Sequence, residues 1–209
     1  PISIDFISDN KKYTIRKKYG IPENRTVFVY GGNLGKPQGI DFLIECILKN
    51  EERNDTFFLI IGSGTEYLKL SNFIEKNNIV NSKLYSYVEK CDYDILLKVC
   101  DVGLVFLDSR FTIPNIPSRI LSYMENAIPI IASTDTNTDL KDIMEEGKFG
   151  LWSRSGDLER FFLNIDKLSQ NIELRKLFGM NGRIYLEKNY TSRIAVDIIL
   201  DRFEEDRSC

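Results

Sequence analysis

Residues 31 to 36 read Gly-Gly-Asn-Leu-Gly-Lys and follow directly on the apolar run Thr-Val-Phe-Val-Tyr. Glycine removes the Cβ that would hold a bulky anion off the main chain, and a lysine supplies charge at the same place. The chemistry these residue types point to is phosphate binding. A second segment, "IPSRILSYM", offers Ser118 and Arg119 at an expected helix start. Each of these features has a plainer reading beside it: a tight strand-to-helix turn for the glycines, an N-cap for Ser118 and a surface charge for Arg119. What favours an anion site is that the two segments leave adjacent strand ends of the same expected sheet.

Two familiar phosphate signatures do not fit. The Walker pattern places a glycine five residues before Gly35, where Tyr30 stands, and a hydroxyl after the lysine, where Pro37 stands. Counted from Gly32, the dinucleotide fingerprint meets Leu34 and Pro37 in place of its second and third glycines, and no acidic residue caps the second strand, which ends "IIGSG". Other chemistries have little to work with. The chain has 0 histidines and 4 cysteines without C-x-x-C spacing, so a zinc site of the usual kind is not expected. The carboxylate pair in "DYD", Asp92 and Asp94, falls at a helix start on the sheet's flank, away from the glycine turn.

The elements that must position these residues follow from the apolar pattern. Six short apolar runs (26–31, 57–62, 83–88, 102–107, 128–132 and 149–152) alternate with amphipathic stretches. That alternation predicts an α/β fold with a doubly wound, Rossmann-like parallel sheet and helices on both faces. Helical spacing places Phe42, Leu43, Ile47 and Leu48 on one face, and Leu68, Phe73 and Ile74 on another. The basic stretch "DNKKYTIRKKY" reads as a solvated helix face or linker, with a membrane surface as the less favoured partner, and 157 to 206 as consecutive helices. A 209-residue chain with 43% hydrophobic content holds one sizeable core. Its formal charge of -3 gives no general reason to expect nucleic acid. The free-thiol pattern fits a cytoplasmic setting, the apolar runs are too short to span a membrane, and a chain beginning at Pro1 is expected to be a fragment.

The ordered motifs "YGGNLGKPQGIDFLIE", "LIIGSGTE", "YSYVEKCDYDILLKVCDVGLVFL", "IPSRILSYMENAIPIIAS" and "LRKLFGMNGRIYLEKNYT" resemble the C-terminal, donor-binding half of retaining GT-B glycosyltransferases of the family-4 type, the glycosyl transferases group 1, especially those of bacterial surface-polysaccharide synthesis. The resemblance implies an interdomain linker or helical segment over 1–25, a nucleotide-sugar-binding domain over 26–190 and a C-terminal helix over 191–209. It implies a UDP-sugar donor in preference to a GDP-sugar, no metal, and a sugar or lipid-linked acceptor bound by an N-terminal domain. It also implies work in the cytoplasm, at the inner face of the membrane, and a fragment inactive alone. By the same resemblance, Gly32 and Asn33 lie against the diphosphate with Lys36 as cation, and Tyr87 and Val88 line the base pocket. Ser118 and Arg119 meet the phosphates, and Ser122 stands where a glutamate usually holds the ribose.

The sequence departs from that pattern at several points. Many members carry an arginine where Gly32 or Asn33 stands and a lysine where Gln38 stands, so Lys36 acts from a shifted place. The paired glutamates map to Pro114 and Ser122, and Glu125 is the nearby carboxylate that would substitute. Two further readings stay open at this point: half of a nucleotide-sugar 2-epimerase, and a non-catalytic module that has kept the fold and lost the site.

Overall fold

The computed structural model describes residues 7 to 110, 113, 115 to 191, 193, 194, 196 and 200. Six parallel strands form one sheet in the order β3-β2-β1-β4-β5-β6: β1 Thr26–Gly31, β2 Thr56–Ile61, β3 Ser82–Tyr85, β4 Val102–Phe106, β5 Ile130–Thr134 and β6 Gly150–Arg154. Helices cover both faces: α1 Asp9–Lys18, α2 Ile40–Asn50, α3 Tyr67–Lys76, α4 Lys90–Leu97, α5 Arg119–Glu125, α6 Leu140–Gly147, α7 Leu158–Ser169 and α8 Ile172–Asn189. The fold is α/β and Rossmann-like.

The continuous apolar runs reflect burial on both faces. Val27, Val29, Phe57, Leu59 and Ile61 point into one core, with Leu96, Ile120, Tyr123 and Met144. Phe28, Tyr30, Phe58 and Ile60 alternate into the other, with Leu43, Ile47, Leu70 and Phe161.

Several boundaries differ from the sequence expectation. β3 stops at Tyr85, because this edge strand pairs only with β2 and their last pair is Ile61 with Tyr85. Tyr87 and Val88 therefore lie in the loop before α4. β5 starts at Ile130, since Pro129 has no N–H for the ladder. Leu48 is exposed, one residue past the buried stripe of Leu43, Cys46, Ile47 and Asn50, and on α3 the inward residue is Leu70 while Leu68 faces solvent. The run of helices after β6 is present as α7 and α8, and the helix expected over 191–209 falls largely outside the described residues. No helix among the described residues is long and apolar enough to cross a membrane.

The basic segment is helix α1, and it is anchored to the sheet. Arg16 is 3% exposed, pairs with Asp101 at 2.7 Å and donates to the carbonyls of Val99, Glu23 and Arg25. Lys12 also reaches Asp101, and Lys18 pairs with Asp92. Three of the segment's five basic side chains, Lys12, Arg16 and Lys18, thus pair with carboxylates elsewhere in the fold.

Candidate functional site

All six strands run parallel, so their carboxyl ends share one edge of the sheet, and β1 and β4 are the neighbours from which the chain winds in opposite directions. Open α/β sheets bind ligands in the crevice at that switch point. Only two register pairs join these strands, Phe28 with Val102 and Val29 with Gly103. Next to them the buried hydroxyl of Tyr123 takes over, accepting from the Gly31 amide and lying within reach of the Val29 and Leu104 carbonyls. The loops after the two strands are tied together, since the Asp108 amide donates to the Pro37 carbonyl at 2.9 Å. Arg110 holds the Asp108 carboxyl below the usual carboxylate range.

Four amides of the glycine turn have partners inside the fold. The N–H of Gly31 goes to Tyr123, that of Gly32 to the Ile61 carbonyl, that of Leu34 to Ser63 and that of Gly35 to the Gln38 side chain. The Gly32 amide therefore serves the sheet, and the expectation that the Gly32 and Asn33 main chain lies against a diphosphate rests on its exposed surface rather than on that N–H. Nor does the turn feed a helix directly: a 3-10 turn, Lys36–Gln38, intervenes before α2. The second glycine pair has a packing role, since a methyl on Gly62 would collide with the Gly32 carbonyl and one on Gly64 with the Leu34 carbonyl. Gly32 itself is exposed with φ +134°, a backbone region that disfavours side chains.

What the turn leaves room for is Arg119. A methyl on Gly32 would stand 3.1 Å from Arg119 Nη2. The guanidinium lies over the ring of Tyr30, 4.3 Å from its centroid. Tyr30 is fully buried and donates its hydroxyl to the Asn33 carbonyl at 2.6 Å. Arg119 forms no ion pair with a carboxylate, and its Nη1 is buried without an acceptor, among the described residues. Around it stand phenols: burial pushes Tyr93 up to about 12 and raises Tyr30 and Tyr123, while the Arg119 charge pulls each of them back.

The remaining candidates spread around this centre. Lys36 is exposed at the head of the 3-10 turn and forms no ion pair among the described residues. Asn33 is exposed, its side chain bonded to Gln38. Ser118 is exposed and caps α5 by position without a side-chain hydrogen bond. Ser122 is half-buried one turn into α5, and Glu125 is exposed in its last turn, about 9 Å along the axis from Arg119. Tyr87 is 70% exposed and shares a hydrogen bond with Glu89, which raises its pKa; Val88 packs on the core. Pro114 lies outside the described residues. Asp92, of the "DYD" pair, is taken by Lys18 and Tyr19.

Sequence reasoning did not single out Tyr30, Tyr93 or Tyr123 as site residues, and marked Gln38 only as a departure from the family pattern. Tyrosine in an apolar run looks like core, and only the close approach of Gly31 to Tyr93 and of Gly103 to Tyr123 shows why glycines accompany them. Two hollows, of 380 and 520 Å³, lie along the edge strands β6 and β3 and include none of the crevice residues.

Comparison with known proteins agrees with this architecture. In structure, the chain is similar to HepE of Anabaena solved with UDP, with a TM-score of 0.78 and 16% identity over 95% of this chain and 54% of that one. It is also similar to the C-terminal domain of the LpcC group 1 glycosyl transferase of Francisella tularensis, with a TM-score of 0.70 and 15% identity over 90% of this chain and 97% of that one. In sequence, it is 25% identical to the probable glycosyltransferase WbjE of Pseudomonas aeruginosa, over 85% of this chain and 44% of that protein. It is 24% identical to the capsular polysaccharide biosynthesis glycosyltransferase CapM of Staphylococcus aureus, over 90% and 48%. The chain thus spans about half the length of the curated relatives it matches. The model of the glycosyl transferases group 1 matches residues 11–185, which runs from the anchored helix α1 through both sides of the crevice into α8, and the chain belongs to that family.

Proposed function

We propose that this chain is the donor-binding, C-terminal half of a retaining GT-B glycosyltransferase that works in surface-polysaccharide or glycoconjugate synthesis and takes a UDP-sugar. The observation that carries the reading is Arg119: a guanidinium whose Nη1 is buried without an acceptor and which pairs with no carboxylate among the described residues, placed at the β1/β4 switch point beside the Gly32 turn. A buried donor without an acceptor costs free energy that an incoming anion recovers. Arg119 and Lys36 are the two cations in place for a diphosphate, and charge-assisted hydrogen bonds from them stabilise it as a leaving group without a metal ion. Tyr87 and Val88 border the space beside β3 where a base would stack, and Ser122 offers its hydroxyl toward the ribose.

The same reading has the site completed by a second domain that binds the acceptor, so the chain alone is expected to bind donor and to transfer nothing. Work at the cytoplasmic face of the membrane follows from lipid-linked acceptors and is part of the same proposal. The names of the relatives support it, since WbjE and CapM are glycosyltransferases by name and HepE was solved with UDP. The test is calorimetric titration of the chain with UDP, GDP and ADP, each with and without magnesium. UDP binding that is indifferent to magnesium and weakened by Arg119→Ala is the expected result; equal affinity in parent and variant removes the assignment.

A further inference from the structure

Arg119 starts from α5, whose neighbours Ile120 and Tyr123 belong to one core, yet its guanidinium ends over Tyr30, whose ring belongs to the other. It crosses the tip of the sheet between them, beside Gly32, where a methyl group would press on it at 3.1 Å. Tyr30 is the platform under this crossing, and its hydroxyl is fixed to the Asn33 carbonyl. Asn33 in turn donates to Gln38 Oε1, which also accepts from the Gly35 amide. One chain of contacts therefore joins the guanidinium, the strand end and the glycine turn.

We propose that Tyr30 is a positioning residue for anion binding: its ring holds the Arg119 guanidinium over the strand tip beside Gly32, and its hydroxyl makes the glycine turn move with that contact. The inference rests on the reading of the crevice as a diphosphate site and adds a residue to it. A flexible arginine tip loses rotamer freedom when it grips an anion, and a π-face that holds it beforehand removes part of that cost. The arrangement also accounts for Gln38. At a place where the resemblance expects a cation, this chain has a side chain turned inward to lock the turn, and the charge comes from the α5 side of the crevice.

The test is titration of the chain with UDP for the parent, Tyr30→Phe, Tyr30→Met, Arg119→Ala and the Tyr30→Met/Arg119→Ala pair, each first shown to be folded by circular dichroism and a urea midpoint. Phenylalanine keeps the ring and methionine fills the space without one. Tyr30→Met is expected to weaken UDP about tenfold, and Tyr30→Phe to stay within about threefold of the parent. In the Arg119→Ala background, Tyr30→Met costs nothing further. Additive losses, or equal losses for Phe and Met, overturn the proposal while the diphosphate reading stands; a parent that binds no UDP removes both. Should Tyr30→Met not fold, the Arg119 Nε–H resonance decides: an upfield ring-current shift that is kept in Tyr30→Phe supports the stack, and a random-coil position contradicts it.

Discussion

Two arginines flank the same pair of strands, and they are finished in opposite ways. Arg16 lies at the amino end of β1 and β4, where Asp101 also receives the Val27 amide, and each of its three nitrogens has an acceptor. Arg119 lies at the carboxyl end of the same strands, over Tyr30, with a buried nitrogen that has none among the described residues. A structural arginine repays its desolvation inside the fold, whereas on the proposed reading Arg119 leaves part of that repayment to a ligand. On that reading the contrast separates the end of the sheet that holds the molecule together from the end that binds.

The widest separation comes from removing each in turn. Arg16→Ala takes the buried donor from the Val99, Glu23 and Arg25 carbonyls and leaves Asp101 to Lys12 and the Val27 amide, and is expected to cost about 2 to 4 kcal/mol in a urea unfolding series, with UDP affinity unchanged under conditions where the variant is folded. Arg119→Ala is expected to show the reverse: an unfolding free energy in urea within about 1 kcal/mol of the parent and UDP binding about 10- to 100-fold weaker by calorimetry. A large stability loss there would make Arg119 a second structural arginine and collapse the comparison. Gly32→Ala tests the room that the guanidinium needs. Backbone strain at φ +134° and pressure on Nη2 predict about 1 to 3 kcal/mol of destabilisation together with weaker binding. Lys36→Ala is the mildest, about three- to fivefold in affinity, and the deficit should shrink as salt is raised, as befits an exposed charge.

The sheet was legible because its strands are buried on both faces, and runs such as Val27 to Tyr30 and Phe57 to Ile61 cannot be written in other than apolar residues. Helix faces were less so. Leu48 and Leu68 satisfy helical spacing roughly but sit just outside the stripe, and a hydrophobic residue on the surface carries no signal of its own. At the crevice, the glycine turn and Ser118-Arg119 announced themselves by type and order. Their division of labour did not. Whether the amide of Gly32 was free depended on Ile61, and the value of Arg119 depended on Tyr30, which contacts it across 89 positions of chain as a core-facing tyrosine like any other. The docking of α1 was hidden for a similar reason, since one buried arginine among several exposed lysines looks the same in sequence.

The most direct measurement is calorimetric titration of the parent chain and of Arg119→Ala with UDP in metal-free buffer. The account predicts heat of binding in the parent and an affinity at least about tenfold lower in the variant, with both proteins unfolding at nearly the same urea concentration. Absence of binding in the parent, or equal affinity in the two, would contradict the assignment of Arg119 as the cation that the crevice holds ready for a diphosphate.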